Sequence, residues 1–282
     1  MQHTPVPKIA AIHDLACFGR AALSVVMPIL SSMGIQVCPL PTAIFSTHGG
    51  FPGYRSLDIT AHINAIIAHW KVLQIEFDAI YSGFLSSPAQ IDIFSEFILD
   101  FSRKDQLIVI DPVLGDHGKL YGVTAQDMLP RMKDYIRLAH LITPNLTEAA
   151  LLLDEPYSPT ISDNTLEEWL IRLTEFGPGR AVVTSVPSSH APKSRTCVAA
   201  YERETQRFWK ICSERVNADF PGSGDTFTSV IVGSLVHGEP LECALQRSID
   251  FIERGITYSS QQKTPEREGI LVEKFLASLT AR

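Results

Sequence analysis

Residues 221–228 read Pro-Gly-Ser-Gly-Asp-Thr-Phe-Thr, and they open an apolar run that predicts a helix from Phe227 to Val236. Gly222 and Gly224 can adopt backbone angles closed to other residues, so successive amide N–H groups can converge on one point. The helix that follows adds its own N–H groups and the positive end of its dipole. The stretch therefore predicts an anion-binding turn, suited to phosphate or to charge that develops on phosphate.

Asp225 is the unexpected member of this turn, because a carboxylate beside bound phosphate should repel it. Its presence makes sense if it acts on a hydroxyl group that attacks the phosphate. The alternative is a glycine turn in which Asp225 only caps the helix. The turn alone leaves both interpretations open.

A second motif, Thr143-Pro144-Asn145-Leu146-Thr147-Glu148, follows a run at 136–142 that predicts a strand. Asn145 and Glu148 have the spacing of a capping box, which is the structural interpretation. The functional one is that both face the same side of the first helical turn. There they would hold the water shell of a Mg²⁺ beside nucleotide phosphates.

A third motif, Asp111-Pro112-Val113-Leu114-Gly115-Asp116, comes directly after the predicted buried strand 107–110. Carboxylates just past the C-terminal end of a parallel strand lie where open α/β sheets bind ligands. A solvated loop after a strand would have the same composition. Three acidic or anion-binding elements, each at a strand-to-helix junction, together favour a phosphate site in which Asp111 or Asp116 supports the Mg²⁺.

The motifs also resemble a known family, the vitamin-kinase branch of the ribokinase-like superfamily. The matching stretches are VVTS at 182–185, TPNxxE at 143–148, DPVxGD at 111–116 and GSGD at 222–225. Near the N-terminus, Ile12-His13-Asp14-Leu15, Phe18-Gly19 and FSTHGGF at 45–51 resemble pyridoxal (pyridoxine, pyridoxamine) kinases in particular. The resemblance runs from about Lys8 to the end of the chain, in the family's order and spacing.

The resemblance implies ATP-dependent phosphorylation of the 5′-hydroxymethyl group of a B6 vitamer, in pyridoxal 5′-phosphate salvage, by a homodimeric enzyme. The residues that it implies for catalysis are Asp225, Gly222, Ser223 and Gly224. Those implied for the substrate are Asp14, His48, Gly49, Phe84 and Asp225. Those implied for ATP are Asp116, Asn145, Thr184, Gly222 and Gly224. A metal site at Asp111, Thr143 and Glu148 is expected to take a monovalent cation, K⁺ or Na⁺, in addition to the Mg²⁺ of ATP.

Two positions depart from the family pattern. Asp14 stands where the family usually has Ser, and Gly49 stands where it usually has Thr. A carboxylate at the ring-binding wall favours a protonated pyridine nitrogen, while Gly49 removes a side-chain contact and leaves space. Both changes bear on which vitamer fits, and neither touches the phosphoryl-transfer groups.

Composition limits the classes of function. The 282 residues, 45% of them hydrophobic, are expected to form a single kinase domain spanning 1–282. The net charge of −7 argues against nucleic acid and anionic membranes as partners. The P-loop pattern and the protein-kinase signatures are missing from the sequence.

Five scattered cysteines without a CxxC pair favour a reducing compartment and give no zinc site. Met1 to Pro7 does not have the pattern of a signal peptide, and no apolar run approaches membrane-spanning length. We therefore expect a cytoplasmic protein.

The order of predicted elements indicates an α/β fold, with a mainly parallel sheet and helices on both faces. Predicted strands at 8–13, 35–40, 77–81, 107–110, 138–142 and 181–184 alternate with helices at 21–33, 59–73, 91–101, 226–236 and 241–259. A short antiparallel hairpin is expected from Cys197–Tyr201 and Arg207–Ile211. The segments 186–195 and 263–268 are expected to be loops.

Three other functions are considered. Hydroxymethylpyrimidine kinase activity in thiamine synthesis would use the same fold and the same base. A ribose-type sugar kinase is less well supported, because sugar sites use more acids and amides than this N-terminal region offers. A non-catalytic vitamer or nucleotide sensor is the alternative from another class, although every catalytic position is occupied.

Overall fold

The computed structural model describes four stretches of the chain: residues 6–121, 124–188, 195–214 and 220–280. The chain divides into two compact units. The first comprises Met1–Ser82, Asp100–Leu107 and Ala218–Arg282, and the second comprises Gly83–Leu99 and Ile108–Asn217.

Strands and helices alternate along most of the chain. The strands are β1 (Lys8–Ala16), β2 (Gln36–Phe45), β3 (Ser56–Asp58), β4 (Ala79–Ser82), β5 (Leu107–Ile110), β6 (Gly115–Asp116), β7 (Lys119–Leu120), β8 (Leu141–Ile142), β9 (Arg180–Pro187), β10 (Arg195–Glu202) and β11 (Arg207–Glu214). The helices are α1 (Leu23–Ser32), α2 (Thr60–Val72), α3 (Pro88–Phe101), α4 (Thr124–Tyr135), α5 (Leu146–Leu152), α6 (Asp163–Glu175), α7 (Ser223–Val236) and α8 (Leu241–Gln261). In the part of the chain that is described, none of the helices combines the length and the apolar character needed to cross a membrane.

In the first unit the strand order is β4-β1-β2-β3. β1 pairs in parallel with β2 and with β4, and β3 runs antiparallel to β2. A strand with parallel neighbours on both sides is buried on both faces, which explains why β1 is apolar from Ile9 to Ile12. His13 and Asp14 are the polar residues that interrupt this run, near the carboxyl end of β1.

In the second unit the order is β11-β10-β9-β8-β5. β5, β8 and β9 are parallel, whereas β10 and β11 form an antiparallel hairpin against β9. The predicted α/β class, mainly parallel pairing and terminal hairpin are therefore confirmed.

The predicted strand at 136–142 is wrong over its first half. Ile136–Leu138 is a 3₁₀ turn that follows α4, and β8 contains only Leu141 and Ile142. Ile136 is fully buried in this turn. Because a short apolar run is buried in either conformation, hydrophobicity alone could not distinguish the two.

The predicted loop at 186–195 lies in part outside the described residues; Val186 and Pro187 extend β9, and Arg195 begins β10. The predicted loop at 263–268 contains a 3₁₀ turn, Glu266–Glu268.

Two of the five cysteines are paired, which the sequence did not indicate. The antiparallel register places Cys197 of β10 opposite Cys212 of β11, and the two are joined by a disulfide. Cys17, Cys38 and Cys243 are free thiols. Disulfides are rare in reducing compartments. The paired Cys197 and Cys212 therefore do not support the reducing compartment that was expected from the scattered cysteines.

Candidate active site

The glycine turn before α7 approaches the β1–α1 loop so closely that only glycine fits. Gly222 has a φ of 80°, and a Cβ built there would lie 2.1 Å from the carbonyl oxygen of Arg20. α7 begins at Ser223, three residues earlier than predicted. Gly224 and Asp225 therefore occupy its first turn, where backbone N–H groups have no acceptor within the helix. A Cβ at Gly224 would meet nothing within 4 Å.

Asp225 is held by the backbone of the same loop. Its Oδ2 accepts a hydrogen bond of 2.9 Å from the N–H of Ala22. The side chain is 19% exposed, so the carboxyl group is shielded but can be reached. Burial raises the pKa of Asp225 from 3.8 to about 6, and the Ala22 N–H opposes that rise. A carboxylate with a pKa close to the working pH is well suited to accept a proton from a hydroxyl group.

Asp14 lies at the end of β1 and is 7% exposed. Burial and, to a smaller extent, the negative charge of Asp225 raise its pKa from 3.8 to about 7, and a hydrogen bond from its own backbone N–H opposes the rise. The first unit thus contains two carboxyl groups with raised pKa values, and the charge of Asp225 favours the protonated form of Asp14. Near neutral pH Asp14 can either donate or accept a hydrogen bond.

His48 is engaged by the backbone at both ring nitrogens. Its Nδ1 accepts from the N–H of Gly50 at 3.1 Å, and its Nε2 lies 2.6 Å from the carbonyl oxygen of Arg267. Because Nδ1 is an acceptor, the proton of the neutral ring is on Nε2 and is donated to Arg267. His48 therefore fixes the loop between β2 and β3, while Gly49 is exposed and has no neighbour within 4 Å of a Cβ position.

In the second unit, Asn145 and Glu148 form a complete capping box at the start of α5. Glu148 Oε2 accepts from the N–H of Asn145 at 2.8 Å, and the side chain of Asn145 accepts from the N–H of Glu148 at 3.0 Å. The structural interpretation of this motif is therefore realised.

The capping box also holds the DPVLGD loop. Glu148 Oε1 accepts from the N–H groups of Leu114 and Gly115 at 3.0 and 3.5 Å, and Asn145 Nδ2 donates to the carbonyl oxygen of Gly115 at 2.8 Å. Glu148 is 3% exposed. Burial raises its pKa to about 8; the N–H groups of Asn145, Leu114 and Gly115 oppose the rise, and Asp116 adds to it.

Asp111 and Thr143 occupy equivalent positions after neighbouring strands. Ile110 of β5 pairs with Ile142 of β8, and the buried Asp111 and Thr143 come directly after them. Thr184 of β9 lies beside this edge, since its N–H donates to the carbonyl oxygen of Pro144 at 3.0 Å. The structure thus brings together Asp111, Thr143, Asn145, Glu148 and Thr184.

The other two predicted positions of the second unit are less enclosed. Asp116 lies in the β6–β7 hairpin, where its Oδ1 accepts from the N–H of His117 at 2.7 Å. Phe84 is half-buried in the segment between β4 and α3.

The sequence interpretation assigned no role to three groups that build the site. Ala22 and Leu114 act through backbone N–H groups, which leave no trace in residue type. His13 did leave a signal, as a histidine between an apolar strand and Asp14. It is fully buried, and its Nδ1 lies 3.8 Å from Asp225 Oδ1.

The chain is similar to known proteins over most of its length. The family model of phosphomethylpyrimidine kinase matches residues 55–268. A protein of Bacteroides thetaiotaomicron, provisionally assigned as a phosphomethylpyrimidine kinase and crystallised in an orthorhombic form with pyridoxal, is 51% identical. The match covers 98% of this chain and 96% of that one, with a TM-score of 0.94.

Two proteins described as B6 kinases are also similar. The pyridoxal kinase of Lactobacillus plantarum is 30% identical, with a TM-score of 0.89 and coverage of 98% of this chain and 97% of that one. The pyridoxine/pyridoxal/pyridoxamine kinase of Bordetella bronchiseptica is 28% identical over 88% of this chain and 89% of its own length. The resemblance found in the motifs is confirmed: this chain belongs to the phosphomethylpyrimidine kinase family, with the ribokinase-like fold of the pyridoxal kinases.

Proposed function

We propose that this protein transfers the γ-phosphoryl group of ATP to the 5′-hydroxymethyl group of a B6 vitamer: pyridoxal, pyridoxine or pyridoxamine. The observation that carries this proposal is the Asp225 carboxyl group, held in the first turn of α7 by the N–H of Ala22. It combines a fixed oxygen, limited exposure and a pKa raised to about 6.

In the proposed reaction the hydroxymethyl oxygen forms a bond to the γ-phosphorus as the bond from that phosphorus to the β–γ bridging oxygen breaks. ADP leaves with the bridging oxygen. Asp225 orients the hydroxyl group and receives its proton. The amides of Gly222 and Gly224 stabilise the charge of the transferring group, because they are positioned before the reaction begins. The N–H of Ser223 donates to the carbonyl oxygen of Phe220 at 3.2 Å, so Ser223 is proposed to act by holding the turn.

The second-unit residues are proposed to bind the nucleotide and its metal. Among the described residues no three His, Cys, Asp or Glu side chains cluster as a metal site. The side chains near the β5 and β8 ends instead carry oxygen donors, which suits Mg²⁺ that keeps most of its water. Glu148 accepts three N–H groups and retains acceptor capacity for one such water.

Two kinds of metal ion are proposed to bind near these side chains. Mg²⁺, when bound, would neutralise charge on the triphosphate. Asn145 and Glu148, with Asp111 or Asp116, would hold it through its water shell, and Thr184 would contact the nucleotide phosphates. A monovalent cation, K⁺ or Na⁺, is proposed for Asp111, Thr143 and Glu148.

The ring of the vitamer is proposed to contact Asp14 and Phe84, with the His48 loop and its exposed Gly49 completing the wall. The raised pKa of Asp14, about 7, allows it to donate to a pyridine nitrogen or to accept from its protonated form. Both ring nitrogens of His48 are used by the backbone, so its contribution would be the face or edge of the ring.

The description of the matching family favours hydroxymethylpyrimidine as a second candidate substrate. The B6 vitamers are preferred because the relative with 51% identity was crystallised with pyridoxal. Phosphorylation assays with pyridoxal, pyridoxine, pyridoxamine and hydroxymethylpyrimidine, with ADP release as the readout, test the choice. We expect a B6 vitamer to give the highest kcat/KM. A higher value for the pyrimidine would overturn the assignment, and no turnover with any of the four would favour the sensor alternative.

We propose further that the chain works as a single kinase domain, forms a homodimer and acts in the cytoplasm, where its co-substrate ATP is abundant. Sedimentation equilibrium tests the dimer. Thiol labelling of protein taken directly from its native compartment tests the location: reduced Cys197 and Cys212 would support the cytoplasm, and an intact Cys197–Cys212 disulfide would contradict it.

A further inference from the structure

His13 is a buried polar side chain of the first unit to which the proposed mechanism gives no role. It is 0% exposed near the carboxyl end of β1, and neither ring nitrogen has a hydrogen-bond partner among the described residues. The His13 ring packs against the ring of Tyr81, with 4.3 Å between the centroids and an angle of 74° between the planes. Buried polar atoms are nearly always paired, so an unpaired histidine requires an explanation.

His13 lies close to the proposed catalytic base, Asp225. Its Nδ1 lies 3.8 Å from Asp225 Oδ1, while the other oxygen, Oδ2, is bound to the N–H of Ala22. A distance of 3.8 Å is too long for a hydrogen bond, but a closure of less than 1 Å would form one. Catalytic hydrogen bonds are often long in the free enzyme and tighten in the substrate complex.

The protonation state of His13 decides what it can do there. Burial lowers the pKa of His13 to about 3, so the ring is neutral at physiological pH and does not form an ion pair with Asp225. A neutral imidazole has one N–H, which can donate without adding a charge. It can therefore orient a carboxylate without neutralising it.

We propose that His13 is a positioning residue for phosphoryl transfer: in the substrate complex its Nδ1–H donates to Asp225 Oδ1. Together with the Ala22 bond to Oδ2, this fixes the plane of the carboxylate, so that the remaining lone pair of Oδ1 faces the substrate hydroxyl group. The inference rests on the proposed role of Asp225 as the base. His13 itself touches neither the substrate nor the proton that is transferred.

The test compares two substitutions. His13→Asn keeps an N–H donor near the position of Nδ1, whereas His13→Leu keeps similar volume and has no donor. We expect His13→Leu to lose about 10- to 100-fold in kcat with unchanged KM for MgATP and vitamer. It should melt no lower than wild type, because it removes an unpaired buried polar group. His13→Asn should recover most of kcat.

A matched control is Ser234→Ala on α7, which also removes a buried side-chain oxygen without a partner but lies beyond the first turns of the helix. It should leave kcat unchanged. Wild-type kcat in His13→Leu, or equal losses in His13→Leu and His13→Asn, would overturn the proposal.

The tautomer of His13 in the wild-type protein gives a test that needs no stable variant. Nitrogen chemical shifts of ¹⁵N-histidine-labelled protein should show the neutral Nδ1–H form, and an Nε2–H form would overturn the proposal. Failure of the base assignment has a different signature: Asp225→Asn would then keep its turnover. An inactive Asp225→Asn beside a fully active His13→Leu rejects the role of His13 alone.

Discussion

The backbone N–H of Ala22 donates to Asp225 Oδ2 at 2.9 Å, so a residue after β1 holds the carboxyl group of a residue in α7, 203 positions later in the chain. Ala22 has a φ of 51°, in the left-handed region that side chains other than glycine rarely adopt. The loop accepts this conformation beside Gly222, which packs against the carbonyl of Arg20. The proposed base is therefore oriented by two backbone segments that depend on each other.

Replacement of the proposed base should affect rate rather than binding. We expect Asp225→Asn to lose about 10²- to 10⁴-fold in kcat, because the amide cannot accept the hydroxyl proton. Its amide oxygen can still accept from Ala22, so the fold should be kept. Stopped-flow kinetics with titration calorimetry of MgATP measure the two effects, and turnover close to wild type would contradict the role.

The same substitution should change how stability depends on pH. The pKa of Asp225 is raised on folding from 3.8 to about 6, so the folded protein binds this proton more tightly than the unfolded chain. The protonated Asp225 carboxyl group therefore favours the folded state at low pH, and this contribution to the free energy of unfolding is lost as pH rises through about 6. Asp14 and neutral His13 face the same region and remain in both proteins.

At about pH 4, Asp225→Asn should therefore have the same free energy of unfolding as wild type. At about pH 8 it should be more stable than wild type by up to about 3 kcal/mol. Chemical denaturation at the two pH values measures the difference. A gap that is constant with pH would contradict the raised pKa.

The two glycines of the turn should respond differently to alanine. At Gly222 a Cβ would lie 2.1 Å from the carbonyl oxygen of Arg20, and its φ of 80° is strained for alanine. We expect Gly222→Ala to cost more than about 2 kcal/mol and most of the activity. Gly224→Ala is the control, since its Cβ meets nothing within 4 Å and alanine favours helix. Thermal melting should separate them, and equal losses would contradict the close packing at Gly222.

Glu148→Gln should show both a capping effect and a metal effect. Glutamine has one oxygen where Glu148 uses two to accept N–H groups, so we expect a loss of about 1–3 kcal/mol. If Glu148 also holds the water shell of Mg²⁺, the Mg²⁺ concentration for half-maximal activity should rise. Ser162→Ala is the control, because it removes the cap of α6, which accepts from the Thr165 N–H. Ser162→Ala should lower stability and leave the Mg²⁺ dependence unchanged. If Glu148→Gln shows the same two results, Glu148 only caps α5 and does not hold the metal.

Asp14→Ser restores the residue that is usual in the family and should alter ring recognition. Because the pKa of Asp14 is raised to about 7, its ionisation should contribute to the pH profile of kcat/KM near neutrality. In Asp14→Ser that contribution should disappear, and the order of preference among vitamers should change. Affinity for MgATP should stay the same. If the pH profile and the vitamer order are both unaltered, Asp14 does not contact the ring.

Elements with a clear apolar pattern were predictable, and elements without one were not. β5 at Leu107–Ile110 matches its prediction, because a parallel strand buried on both faces is a continuous apolar run. α4 and the two-residue β8 depend on what packs beside them, so their local sequence gave an incorrect or incomplete prediction. The Cys197–Cys212 disulfide is a property of strand register, which residue spacing does not reveal.

The sequence by itself determined the chemistry of this protein: a glycine turn before a helix, Asp225 within it, and oxygen-rich motifs at strand ends. These are local patterns, because a glycine or a carboxylate carries its conformational freedom or its charge wherever the chain places it. Only the tertiary structure decided which neighbouring groups hold Asp225 and the strand-end motifs in place. The Ala22 N–H and the buried His13 ring reach Asp225 across more than 200 residues, and burial raises the pKa values of Asp14 and Asp225. Desolvation and hydrogen-bond geometry depend on every neighbour in space, so no stretch of sequence contains them.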